Sequence, residues 1–600
     1  AASAGNVGGA EGSFARSAAR FARAVPRSRP YADTLLLRAA AQRDAGSPAA
    51  ALLSICREAV VVLRELREGT SAAAISPCVD AFVQTGQGGG SAPQSLLAEA
   101  FEASQLAQGN VTTTQIARAA ARLAEGSRNP AASEAIRQRE EAKRRLMALY
   151  RDRDEASVAA GRGAGPTLAE IDAQIAVAQA EAADADLAVQ AVAPGFAQLV
   201  QSVASAEEVM ASLRPGEVLA SVFLSPASPG WIFLVREGDI AVGRIGADEA
   251  EVSALVARVR AGVEDGDGSK PFDAAAAHQL YTVLFAALAP RLADSERLVV
   301  APSGQLLSLP FGLLVEVPPP APSGHEGVRF LLDRLPVTHV PAPASLVALR
   351  RVGPSQAAQP WFGFGAPNPV PFAQAARTFP SAPECGQLLA ALPALPGANL
   401  ELRVSAQLLG TSPANSLTGA AFTADAVRRA HLRDHRIVHF ATHGLLPREL
   451  SCVPEAALLA SVSPGAPNAA GALLTAATVM DFDLDADAVL LSACNSGGGA
   501  AAGESLSGLA RAFFYAGARS LLVTHWYVDD AAATRVVALA LHGLSRGEDL
   551  AEALRAAQLD LARNIPEWGH PAFWAAFALV GPGAGPAPVS ARAVPGQVRG

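Results

Sequence analysis

Two apolar runs in this 600-residue sequence end in side chains that can move protons or attack a carbonyl. The first reads Ile437-Val438-His439-Phe440-Ala441-Thr442-His443-Gly444, and the second Ala488-Val489-Leu490-Leu491-Ser492-Ala493-Cys494-Asn495-Ser496-Gly497-Gly498-Gly499. A thiol is a useful nucleophile only as thiolate, and an adjacent imidazole both takes its proton and, once charged, lowers its pKa. His443 as general base and Cys494 as nucleophile would therefore perform acyl transfer if the two run ends meet. The Gly-rich turn after Cys494 lets backbone N–H groups point inward, and Gly444 lets a chain approach closely. Donors at Gly444 and Cys494 would hold the oxyanion of a tetrahedral intermediate, each worth about 3 kcal/mol. Ser492, Asn495 and Ser496 flank the nucleophile as candidate pocket residues. His525 and Trp526, at the end of another apolar run, are candidates for the same wall, against the commoner role of core packing.

Such a pair needs two neighbouring strands, because ligands of open α/β sheets sit beyond the carboxyl ends of the strands. Runs rich in strand formers lie at Val218 to Leu224, Trp231 to Arg236, Arg297 to Ala301, Pro336 to Val340, Trp361 to Gly365, Ile437 to Thr442, Ala488 to Ser492, Ser520 to Thr524 and Ala575 to Val580. They alternate with helical stretches, which predicts an α/β fold with a mostly parallel sheet buried on both faces. His443 and Cys494 are 51 residues apart, room for one helix-sized connection. Residues 1–210 are rich in Ala, Arg, Glu and Leu and predict an all-α region, in which Tyr31 to Leu66 resembles a tetratricopeptide-type helical pair without a second copy at a fixed period. Residues 130–193 predict a helical hairpin, its second helix opened by a capping box of Thr167 and Glu170, with Leu168, Ile171 and Ile175 at coiled-coil spacing. Residues 583–600, Pro- and Gly-rich without apolar periodicity, read as a flexible tail.

Other reactive side chains have plainer readings. His439 alternates within its strand and is expected in the core. Asp529 and Asp530 are expected to cap a helix beginning at Ala531, and Glu504 the helix that follows it. Asp483, Asp485 and Asp487 suit turn or strand-edge roles. Ser303 and Gly304 also end a strand, but the chain has no GxSxG elbow, no phosphate-binding Gly-Lys loop and no HExxH.

Taken together, Val438 to Gly444, Leu491-Ser492-Ala493-Cys494, Gly503 to Phe513 with Ala516 to Arg519, and His570 to Phe577 resemble the CHAT family of caspase-like domains, often found behind helical repeats. Ala301 to Phe311 is similar to that family's N-terminal signature. The resemblance covers residues 215–582. It implies a caspase-like, mostly parallel sheet flanked by helices, with His443 and Cys494 at the positions of the catalytic dyad and a spacing near the caspase interval. It implies a cysteine endopeptidase of bacterial type that needs no metal or organic cofactor, with a protein or peptide substrate and an activating protein partner on the N-terminal helices. Relatives that cut after Arg or Lys often carry Asp two residues before the nucleophile; here that residue is Ser492, so basic specificity lacks this support. The rival readings are a catalytically silent scaffold and another Cys-dependent transfer such as deamidation or ligation.

Composition narrows the field. Half of the residues are hydrophobic, the net charge is -8 and the basic residues form no long run, which argues against nucleic acid as a partner. No apolar stretch reaches the roughly 18 residues of a membrane span. The five cysteines are widely spaced and without zinc-type pairing, so no disulfide framework is expected. The first residue is Ala1 rather than Met, which is compatible with removal of a leader or of a longer N-terminal region and leaves localisation open.

Overall fold

This computed structural model describes residues 7–66, 68–88, 93–108, 168–192, 203–226, 228–445, 452, 455–492 and 508–583, with scattered positions between 134 and 149. Its strands in chain order are β1 (Glu217–Ser225), β2 (Ser228–Arg236), β3 (Asp239–Arg244), β4 (Arg297–Ala301), β5 (Val337–His339), β6 (Gln359–Gly365), β7 (Ser416–Thr418), β8 (His435–Ala441), β9 (Gly444–Leu445), β10 (Ala457–Leu459), β11 (Leu473–Thr475), β12 (Ala486–Ser492), β13 (Ala518–Thr524) and β14 (Phe577–Val580).

Side-chain alternation explains why the apolar runs are strands. In β1, Val218, Ala220, Val222 and Leu224 enter one core, while Leu219 and Phe223 enter the core on the other face. In β8, Ile437 and Ala441 pack on one side, Val438 and Phe440 on the other; β12 divides likewise into Ala488 and Leu490 against Val489 and Leu491. Successive side chains point to opposite faces, so a run that is apolar throughout must be covered on both.

Among the described residues, eleven strands form one sheet in the order β3-β2-β1-β4-β5-β14-β13-β12-β8-β6-β7. β1, β4, β5 and β14 run parallel, as do β13, β12, β8, β6 and β7, and the two blocks meet antiparallel between β13 and β14. The fold is α/β with a mostly parallel sheet flanked by helices. Because the blocks run in opposite directions, their carboxyl ends lie at opposite ends of the sheet, and Ser303, beyond β4, is remote from the end of β8. The reversal was not anticipated, nor were β3, β7 and β9 to β11, most of them two or three residues long and below the length at which alternation is readable.

The chain opens with the helices α1 (Val7–Ala24), α2 (Arg29–Asp44), α3 (Ala49–Leu66), α4 (Ala72–Gln87) and α5 (Pro93–Gln105). Gly46, with φ +77°, ends α2: its N–H and that of Ser47 turn back to the carbonyls of Arg43 and Gln42. Buried residues of α2 to α5 form one core with Leu219, Phe223, Trp231, Phe233 and Val299 of the sheet. Phe101 meets Phe233 edge to face at 5.8 Å, and the indole N–H of Trp231 donates to Asp80 Oδ1 at 2.7 Å. Farther along, the helix Leu168–Val192 buries Ile171, Ile175 and Ala178, and Arg145 pairs with Glu181 at 2.8 Å; Thr167, expected to cap that helix, lies outside the described residues, as do residues 584–600 of the expected tail. No described helix is long and apolar enough to cross a membrane.

The expectation about cysteines is corrected. Cys56 of α3 is bonded to Cys78 of α4, with Cα atoms 5.3 Å apart, and Cys385 to Cys452, with Cα atoms 6.4 Å apart. Separation in the chain, 22 and 67 residues, carries no information about which helix faces which.

The Asp80–Trp231 contact yields a measurable expectation. Asp80→Ala leaves a buried indole N–H without an acceptor and should lower stability by about 2 kcal/mol. A urea titration followed by tryptophan fluorescence checks this, and an unchanged midpoint would show that the helices and the sheet do not share this energy.

Candidate active site

Hydrogen bonding places β8 beside β12, parallel and in register from Ile437 opposite Ala488 to Ala441 opposite Ser492. The strands that carry the two reactive run ends are therefore neighbours, and their carboxyl ends share one rim. Cys494, Asn495 and Ser496 lie outside the described residues. His443 is two residues beyond the end of β8, on the face shared by Ile437, His439 and Ala441, and that face is covered by the helix Pro396–Leu408.

The imidazole of His443 is buried, and its Nε2 lies 2.8 Å from the carbonyl oxygen of Pro393. A carbonyl only accepts, so Nε2 carries the hydrogen and, in the neutral ring, Nδ1 keeps the lone pair. Burial pushes the His443 pKa down, while the Pro393 carbonyl and the nearby Asp530 oppose the shift. The ring is thus neutral near pH 7 and able to take a proton. Gly444 opens β9 and pairs with Leu458, and the His443 carbonyl accepts from Leu459 N–H at 3.0 Å.

Two carboxyl groups that sequence reasoning did not place here complete the surroundings. Glu401, buried on the helix Pro396–Leu408, holds Nε2 of His439 at 2.7 Å with one oxygen and the hydroxyl of Ser492 at 3.2 Å with the other. Asp530 accepts from Gly397 N–H at 2.6 Å, where the positive end of the same helix meets it. A Cβ at Gly397 would collide with that carboxylate. Burial raises the Asp530 pKa, the Gly397 bond opposes it, Glu401 and Asp529 raise it, and His443 lowers it. With Leu395, Val528 and Thr524, these groups wall a cavity of about 40 Å³ beside His443.

The remaining candidates lie elsewhere. His439 is fully buried and engaged with Glu401, a core residue as expected. Trp526 is a core residue whose indole N–H donates to Ala572 O at 2.9 Å. His525 is packed within 6.4 Å of the His339 ring, and its neighbour Thr524 takes the place on the cavity wall. Asp529 caps the helix Asp530–Ser545. Asp485 and Asp487 bind Arg519 and Arg436, each at 2.7 Å, at the amino end of β12, and Asp483 meets Arg433 at 3.1 Å, so all three are remote from His443.

The His339–His525 pair sets a pH dependence. Burial lowers the His339 pKa to about 4 and that of His525 well below its ordinary value, and Nε2 of His339 accepts from Phe311 N–H, a bond that protonation would abolish. The unfolded chain binds these protons near pH 6.5 and the folded chain does not, so stability present above that pH is lost as pH falls from about 6.5 toward 4. His339 alone should account for on the order of 3 kcal/mol. Urea midpoints measured from pH 7 to pH 4.5 test this, and His339→Gln, which can still accept from Phe311, should flatten the profile.

Over 322 residues the chain is 28% identical to tetratricopeptide repeat protein 28 of Mus musculus, and over 367 residues 26% identical to that of Homo sapiens. These stretches are 48% and 53% of this chain but 12% and 14% of the relatives, so the chain spans about an eighth of their length. A crystal structure of the Saccharomyces cerevisiae separase–securin complex aligns with a TM-score of 0.33 and 8% identity, covering 92% of this chain and 44% of that one. The CHAT domain family matches residues 274–582, which contain His443, Glu401, Asp530 and most of the large sheet. With just over half of its length matched, the chain belongs to the CHAT domain family.

Proposed function

We propose that this protein is a cysteine endopeptidase in which His443 and Cys494 form the dyad. The observation that carries the reading is the Nε2–Pro393 bond, which leaves Nδ1 as the basic atom of a buried imidazole at the rim shared by β8 and β12. Residues 488, 490 and 492 belong to the face covered by the helix Pro396–Leu408, and Cys494 is the next residue of that parity in the sequence. The two disulfides use four of the five cysteines and leave Cys494. In the proposed reaction Nδ1 takes the thiol proton, the thiolate adds to a peptide carbonyl, and the imidazolium returns the proton to the leaving amine. Water then hydrolyses the acyl-enzyme, with backbone N–H groups at Gly444 and Cys494 holding the oxyanion.

Glu401 and Asp530 line the cavity beside His443, and no Lys or Arg is among its described lining residues. This favours a cationic substrate side chain, with the acid supplied from two helices rather than from position 492. A volume of about 40 Å³ admits little more than one water, so the site must open for substrate, in keeping with activation by a partner on the N-terminal helices. The same small volume favours the second reading, a silent caspase-like scaffold.

Incubating the wild type with a peptide library, alongside His443→Ala and Cys494→Ala, separates the two. The peptidase reading expects cleavage that falls at least ~10³-fold in either variant. Absence of products from the wild type, with or without candidate partners, would sink it, and joined or deamidated products would mark a transferase. Asp530→Asn should lower kcat/KM for substrates with Arg or Lys before the cut by roughly 10- to 100-fold, and far less for neutral residues.

A further inference from the structure

The His443 ring is held from two sides. One is its own chain, which runs on into the small sheet β11-β10-β9, and the other is the segment between the helices Pro383–Ala390 and Pro396–Leu408, which supplies the Pro393 carbonyl. Cys385 lies on the first of these helices, Cys452 lies in the chain between β9 and β10, and a disulfide joins them. We propose that this bond is a redox control on the orientation of His443: intact, it keeps the Pro393 segment against the small sheet, and reduced, it lets the carbonyl and the imidazole part. The inference rests on reading His443 as the general base.

Three observations carry it. The bond closes a loop of sequence separation 67 that contains Pro393, Glu401, His439 and His443, the whole basic side of the site. The core beneath it is small: Val370, Leu389, Leu445 and Leu459 are its large buried side chains, with Phe379, Leu392, Val462 and Leu473 partly buried against them. It holds the two sides with far less apolar area than the cores on the faces of the large sheet, so the covalent link carries more of the attachment. The bond is also reachable. Cys385 is buried but Cys452 is partly exposed, whereas Cys56 and Cys78 are both fully buried.

The chemistry balances with a dithiol reductant. One of its thiolates attacks the Cys452 sulfur and releases the Cys385 thiolate, and its second thiol then displaces Cys452. Two electrons and two protons pass to the protein, giving two thiols, and the reductant closes to its own disulfide. Because Cys494 must be reduced to react while the 385–452 bond must be oxidised, activity would be greatest at intermediate reductant and fall at high reductant.

The test compares full-length wild type with Cys385→Ser/Cys452→Ser. Peptide mapping without reduction should find the 385–452 bond in the wild type. Amide hydrogen exchange in residues 386–395 and 457–460 should be at least tenfold faster in the double variant, and cleavage at least tenfold slower. Titrating the wild type with a dithiol should bring it to the variant's values, a route that does not depend on the variant's folding, while exchange in the variant stays unchanged. Equal exchange in oxidised and reduced wild type would overturn the proposal. So would both cysteines being free, or holding zinc together with Glu384, whose carboxylate lies within 4.8 Å of the sulfurs. If no form cleaves any peptide, the peptidase reading fails, while the exchange comparison still decides whether the bond seats Pro393.

Discussion

A carbonyl oxygen has no proton to give, and the arrangement around His443 follows from that limit. Once Pro393 takes the Nε2 hydrogen, the tautomer of the neutral ring is settled, and the lone pair must lie on Nδ1, on the opposite side of the imidazole. A single backbone contact thus decides which direction the base faces. Its strength depends on burial: the low dielectric that depresses the His443 pKa also makes the loss of the Pro393 acceptor costly. The carbonyl comes from residue 393 and the ring from residue 443, so the contact exists only because the fold brings the helix Pro396–Leu408 onto the face of β8.

That helix organises more than one partner. Its first turn holds Asp530 through Gly397, and one turn on it presents Glu401 to both His439 and Ser492, which belong to the two adjacent strands β8 and β12. One buried carboxyl group therefore ties the helix to the register of the strand pair. Removing either side would leave a buried polar group without its partner, and such losses commonly cost more than the intact bond contributes. Small residues at Gly397 and Ala398 let the helix approach closely enough for these contacts.

Much of the sheet was readable because its strands are apolar on both faces and end in polar or glycine-rich turns. The runs at Arg297 to Ala301, Ile437 to Thr442 and Ala488 to Ser492 each fall within a residue or two of an observed strand. His443 stood out for the same reason, as a reactive side chain just past an apolar run. Pro393, Glu401 and Asp530 did not, because their roles come from contacts with residues 50, 38 and 133 positions away in the chain, and nothing in local spacing marks such a contact. Asp530 was masked by a sound local argument, since its neighbour Asp529 does cap the helix. Disulfide partners were hidden likewise: α3 and α4 bring Cys56 to Cys78 through packing, which a count of cysteines does not encode.

The distance between the N-terminal helices and His443 limits how one can influence the other. Helices α4 and α5 pack on β1 to β3, with direct hydrogen bonds from Trp231 to Asp80 and between the hydroxyls of Ser76 and Ser228. In the sheet order, β2 and β12 are separated by β1, β4, β5, β14 and β13, about 29 Å at the usual strand spacing. A ligand on the far side of the helices therefore does not touch the site. Its influence has to pass through the sheet and the continuous core on its other face, where Val222, Phe285, Trp526, Val537 and Leu402 belong to one cluster. Close-packed interiors transmit strain, but coupling between distant sites needs an element with two discrete arrangements that both sites bias. The short Pro393 segment, tied on one side by a disulfide and on the other by a hydrogen bond to the imidazole, adjoins the base, and under the proposed redox control it is the element that takes a second arrangement.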